Sequence, residues 1–209
     1  MNRIRRIALI VSGVFVFSTL FTSCVFSQTI GVVDEDLIYS EAPKIKQYMS
    51  ELDKMKEEFK TKLDIRSQTL MLNETEINEI IDLKMKAQPT AQEKARIAEL
   101  EAEGKKRDEE LRTLIEIKDP NDQQRARLKE LQDIQTKAKN TGQAVAEDYD
   151  KQWQAKVKEL DQKALADIDA AVKEVAQAKG LSVVLAKAAV YYGGVDITQD
   201  VIQKLPAQN

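Results

Sequence analysis

The chain has 209 residues, 32% of them charged and only 5% aromatic, with 32 basic against 35 acidic side chains and a net charge of −3. It contains no histidine and one cysteine, Cys24, which excludes His-based triads, Cys–His nucleophiles and His/Cys metal sites beyond the amino-terminal segment. So little apolar material cannot build a large globular core, yet its apolar residues are periodic, which argues against disorder.

Arg3, Arg5 and Arg6 precede an apolar run from Ile7 to Phe21, and small or hydroxyl residues follow. That is the order of a secretory signal, and the run is short for a bilayer span of about 20 residues. Residues 1–27 are therefore expected to be a signal peptide, cut before Gln28. The rival reading takes Phe21-Thr22-Ser23-Cys24 as a loose lipoprotein box with Cys24 lipidated. Both readings export the protein, and the signal style suggests a bacterial envelope. Losing the three arginines leaves 29 basic against 35 acidic residues, about −6, which does not favour nucleic acid.

Thr29 to Asp34 is a β-branched run and reads as a strand. Ser40 is placed to cap a first long helix, with Pro43 in its opening turn. From Ser40 to Lys179 the sequence reads as helix almost throughout, rich in Lys, Glu, Gln, Ala and Leu and holding only Gly104, Gly142, Pro43, Pro89 and Pro120 as potential breakers. One apolar seam runs through Ile45, Met49, Leu52, Met55, Phe59, Leu63, Leu70, Ile77 and Ile81. A second runs through Ala138, Gly142, Val145, Tyr149, Trp153, Val157, Leu160, Ala164, Ile168 and Val175. Each seam is narrow and flanked by charge, enough to pair two helices.

Within this run Thr90-Ala91-Gln92-Glu93 forms a capping-box pattern after Pro89, and Asp119-Pro120-Asn121-Asp122 is a similar start, with proline at the first helical position. The stretches PTAQEKARIAEL and PNDQQRARLKEL lie 31 residues apart and form an internal repeat. The chain must return to its starting end, so it needs one reversal or an odd number. The favoured model turns at 104–108, with Gly104 closing one leg, Asp108 capping the next and the prolines kinking both. The alternative turns at 88–90. Gly142, inside the second seam, reads as a close helix contact or as a hinge.

At the far end Gly180 suits the position just beyond a helix. Leu181–Ala186 and Ala188–Tyr192 read as strands joined through Lys187, Gly193-Gly194 breaks the second, and Asp196-Ile197-Thr198 opens a final helix. The expected body strands carry Ile30, Val32, Val33, Val183, Val184, Leu185, Val190, Tyr191 and Tyr192. Three strands are too few to bury both faces, so several copies are expected to join. The fold class is thus mainly α with a small β body, residues 28–39 and 180–209. A long antiparallel helical-hairpin arm, residues 40–179, projects from a three-stranded per-subunit sheet.

Ile30-Gly31-Val32-Val33-Asp34, Ile38-Tyr39-Ser40 and Pro43 at one end resemble the Skp/OmpH family of periplasmic chaperones. So does Gly180 to Leu185 with Ala189-Val190-Tyr191-Tyr192-Gly193-Gly194 and Asp196-Ile197-Thr198 at the other. The resemblance implies a homotrimer whose strands complete a barrel, with no cofactor and no catalysis. It implies an ATP-independent holdase that keeps unfolded outer-membrane proteins soluble in the periplasm. The competing function is a coiled-coil envelope spacer or scaffold, lipid-anchored if Cys24 is modified. Candidate client-facing residues are Met49, Met55, Phe59, Met71, Met85, Tyr149 and Trp153, which could equally pack leg against leg. Lys105, Lys106 and Arg107 form a basic cluster on the expected tip, for clients, membrane or solvent alone. The family pattern is shorter in the arm and strongly basic, whereas residues 34–83 here carry 13 acidic against 7 basic side chains. That departure weighs against lipopolysaccharide and toward apolar capture.

Overall fold

The computed structural model describes residues 29–207. The expected signal peptide, Cys24 and Gln28 lie outside them. Strand β1 (Ile30–Val33) leads into helix α1 (Glu35–Glu41), followed by α2 (Pro43–Gln68), α3 (Glu74–Lys84), α4 (Ala91–Glu116) and α5 (Asp122–Ala178). Strand β2 (Val183–Ala186), a 3-10 turn (Lys187–Ala189), strand β3 (Val195–Asp196) and helix α6 (Thr198–Gln203) close the chain.

The first cap differs from expectation. Asp34, not Ser40, starts the helical run, its Oδ1 accepting from the Leu37 amide at 3.1 Å. Ser40 lies inside α1 and donates to the Leu37 carbonyl. A break at Ala42 then lets Pro43 begin α2 at a position that needs no amide donor. Gly180 follows α5 with φ +64°, in the left-handed region that glycine tolerates.

The two chain ends meet in one parallel sheet of order β2-β1-β3. Ile30 pairs with Val183 and Val33 with Ala186, while Gly31 pairs with Val195. Here the expected strand Ala188–Tyr192 is corrected: Lys187–Ala189 form a 3-10 turn, Val190–Tyr192 leave the sheet, and Val195–Asp196 take the edge instead. The cause is packing around Gly194, which sits at φ +92° where any Cβ would come within 2.3 Å of Val32 Cγ2. Under the sheet lies the base core, built from Val33, Ile38, Ile45, Ile168, Val175, Ile197 and Val201 among others. Thr198 Oγ1 accepts from the Asp34 amide at 2.9 Å, tying α6 to the end of β1.

Contacts between α2 and α5 step up one helix as they step down the other. Lys44 reaches Asp167 at 2.8 Å, Glu51 reaches Lys156 at 2.7 Å, and Phe59 stacks on Tyr149 at 4.1 Å between centroids. Farther along, the Arg66 stem lies over Gly142.

The turn expected at 104–108 is overturned. Gly104 and Asp108 lie inside the unbroken helix α4, where Gly104 faces Leu72. The chain reverses instead at three places. At 69–73, Arg66 reaches forward to Glu74 and Asn78. At 85–90, Arg96 reaches back to Glu79. At 117–121, Arg127 reaches back to Glu110. Pro89 and Pro120 therefore stand in loops and kink no helix. Because three is odd, the ends still meet. The folded-back helices make a head with its own apolar core, including Ile65, Leu72, Ile77, Ile80, Leu100 and Ala138, next to a smaller group of Met71, Leu111 and Leu131.

Candidate oligomer face and apolar stem

Strand alternation decides what the sheet shows to solvent. Val33 and Val184 turn toward the helices and the base core. Their neighbours Ile30, Val183 and Leu185 point the other way and are 42%, 47% and 39% exposed. Val195, on the edge strand, is also exposed, and Val32 is covered beside Gly194. Tyr191 and Tyr192 stand fully in solvent, and Val190 is half-buried. An open sheet face with aromatic residues beside it is unusual for a surface that stays wet.

At the mouth of the sheet Asp34 pairs with Lys187 at 2.9 Å, and Asp196 accepts from the Thr198 amide. The Lys187 ammonium and the Leu37 amide hold Asp34 below the usual carboxylate range. Hydrogen bonds from Thr198 do the same to Asp196. Asp34 links the two chain ends through Lys187, while Asp196 fixes the turn into α6 locally.

The expected client-facing residues fall into three groups. Phe59 and Tyr149 stack face to face, with planes 5° apart, so they pack leg against leg. Met55 and Trp153 are half-buried in the same stretch, and the buried indole Nε1 of Trp153 has no hydrogen-bond partner. Met49 is half exposed and lines an open cavity of about 490 Å³ with Tyr39, Lys46 and Asp53. Met71 is buried in the head and Met85 half-buried against it, so neither faces outward.

The basic cluster is not brought together as one site. Lys105 and Lys106 are exposed, but Arg107 is mostly covered and binds Glu76 through two bonds of 2.7 and 3.0 Å, with Glu103 beside it. Burial raises the Glu76 pKa, and the Arg107 guanidinium together with the Asn73 amide outweighs it, leaving Glu76 below its usual range.

The repeat has a structural meaning that sequence reasoning missed. Both copies carry a complete capping box, Thr90 with Glu93 and Asn121 with Gln124. In each copy one arginine grips a glutamate across the loop with Nε and Nη2 and reaches the glutamate three residues ahead with Nη1. The first set is Arg96, Glu79 and Glu99; the second is Arg127, Glu110 and Glu130. Leu100 and Leu131, equivalent in the repeat, are both buried. The arginines were visible in the repeat itself; Glu79 and Glu110 lie upstream of it and gave no local signal. Arg66 was likewise invisible as a buried cation, because its partners Glu74 and Asn78 stand on the next helix.

Among the described residues no helix is long and apolar enough to cross a membrane, and no cluster of acidic or cysteine side chains could hold a metal ion.

A β-closed base and long paired helices define a mainly helical class of protein with a small parallel sheet. Residues 83–205 match the family model of outer membrane protein, OmpH-like, and the chain belongs to that family. The matched range covers the end of α3 through α6, including β2 and β3, while β1, α1 and α2 lie before it. The family is in general one of periplasmic chaperones for outer-membrane proteins. No curated protein and no solved structure matches the chain.

Proposed function

We propose that the protein is a periplasmic, ATP-independent holdase that keeps unfolded outer-membrane proteins soluble in transit. Family membership supports the reading, and the open sheet at the base is the structural observation that carries it. Ile30, Val183, Leu185, Tyr191 and Tyr192 offer apolar area that a second and third copy would cover, giving a trimer with a shared β body. The paired helices then act as arms around a space between subunits. Their apolar side chains, the exposed Met49 and the half-buried Met55, Phe59, Tyr149 and Trp153, make many weak contacts with exposed apolar segments. Lys105 and Lys106 add exposed positive charge on the head, with Arg107 held back by Glu76. Residues 1–27 serve as the export signal.

The test is direct. An unfolded outer-membrane barrel protein is diluted into buffer with and without the purified protein, and light scattering is followed. Suppressed turbidity at a modest molar excess is expected. Unchanged turbidity at several-fold excess removes the holdase and leaves an envelope spacer, anchored through Cys24 if mass spectrometry finds lipid there.

A further inference from the structure

We infer that the stem opens locally: α2 and α5 part over residues 49–64 and 139–159 while the base and the head stay closed. The inference does not rest on the chaperone reading.

Burial is distributed very unevenly along the two helices. On α2 the buried residues are Ile45 at one end and Ile65 and Arg66 at the other, with none between. On α5 they stop at Ala138 and resume at Leu160. The intervening stretch, about 25 to 30 Å at ~1.5 Å per residue, has no fully covered side chain. Both ends, in contrast, have cores of their own. Packing of an amphipathic face is what stabilises helices in proteins, so local stability is lowest where that packing is thinnest.

Polar fasteners follow the same pattern. At the base Asp167 holds both Lys44 and the Tyr48 hydroxyl, and at the head Arg66 joins α2 to α3. Within the stem the only cross-helix ion pair among the described residues is Glu51 with Lys156, near the base. The charges facing the centre are otherwise satisfied along their own helices, as Lys62 is by Glu58.

Trp153 adds a specific reason to open. Its indole N–H is buried without an acceptor, a state that disfavours the closed form. Separation of the helices hydrates that donor and exposes Phe59, Tyr149 and Trp153 together. Once parted, each helix loses the packing that stabilises its backbone bonds, so the opened stretch frays locally between two closed ends while the rest of each helix holds.

The chain's single tryptophan makes this measurable in the purified protein without any client. In a urea titration Trp153 emission is expected to shift to the red with a midpoint roughly 0.5–1 M below that of far-UV ellipticity. In hydrogen exchange, amides of 139–159 are expected to exchange on the order of tenfold faster than those of 123–138 and 160–178 in the same helix. Trp153→Phe, which deletes the orphan donor, should slow exchange in 139–159 and leave both flanking segments unchanged. Coincident fluorescence and ellipticity transitions, or uniform protection along α5, would overturn the inference. Because no client enters, such a failure leaves the holdase reading untouched.

Discussion

Gly142 sits in mid-helix with its missing side chain aimed at Arg66, and a Cβ there would find Arg66 Cδ at 3.5 Å, an ordinary contact. A glycine that crowding does not require costs helix stability through backbone entropy. Gly142→Ala is therefore expected to stabilise the protein by about 0.5–1 kcal/mol, seen as a raised Tm in thermal melts; a lowered Tm would mean that Arg66 cannot yield. Arg66 itself is 5% exposed and serves three helices at once, by packing on α5 and by hydrogen bonds to Glu74 and Asn78 of α3. Truncating it strands Glu74 and removes the stem that covers Gly142. Arg66→Ala should cost roughly 2–3 kcal/mol in urea unfolding, and Arg66→Lys should recover little, since an ammonium cannot make the two-pronged bond. At the base, burial raises the Asp167 pKa, but Lys44 and the Tyr48 hydroxyl outweigh it and hold the carboxyl below its usual range. Burial and the same hydrogen bond push Tyr48 up to about 12. A carboxylate with a depressed folded pKa stabilises above its unfolded value and loses that stability as pH falls through the folded one. Tm should thus hold steady near neutrality and fall below about pH 4, and Asp167→Asn should flatten that fall.

At the scale of elements, the head depends on burial more than on its ion pairs. The clasps of Arg96 and Arg127 are each about a third or more exposed to solvent, and pairs at such surfaces are worth about 0–1 kcal/mol. Leu131 is fully buried between α4 and α5, so Leu131→Ala should cost about 2–5 kcal/mol, whereas Arg127→Met should cost under ~1 kcal/mol. Chemical denaturation of both variants checks the order; equal losses would show that the clasp carries the turn. How far these elements were legible follows from the range of the interactions. Gly180, the Thr90 capping box and the seams were readable because each depends on neighbours within a few residues. The second start was expected with Pro120 in the first helical position, whereas Pro120 precedes the cap and Asn121 caps α5 with Gln124. The reversal at 69–73 was not legible. Nothing between Thr69 and Asn73 is a glycine or proline, and the turn is held by Arg66 reaching Glu74 and Asn78 in three dimensions. Gly104 misled for the opposite reason. It faces Leu72 at an ordinary contact distance inside α4, and the residues around it are strong helix formers, so one glycine does not end the helix.

For the whole molecule, the pairing of β1 with β2 and β3 across some 150 residues of sequence was foreseeable from two short apolar ends that could not stand alone. Which residues form the third strand was not, since Val190-Tyr191-Tyr192 has a better strand composition than Val195-Asp196. In the proposed assembly the segment 188–192 is covered by neighbouring copies. Replacing Tyr191 and Tyr192 by serine should then shift sedimentation from trimer toward monomer while far-UV ellipticity per residue stays the same. A trimer that survives the double replacement would place the contact elsewhere on the sheet.

The odd number of reversals constrains how such a chain can change its length. Adding or deleting one helix with its loop would send the carboxy-terminal strands to the distal end, out of reach of β1. Helices can therefore be gained or lost only in twos. A variant lacking both α3 and α4 could still close its base, while one lacking either alone could not.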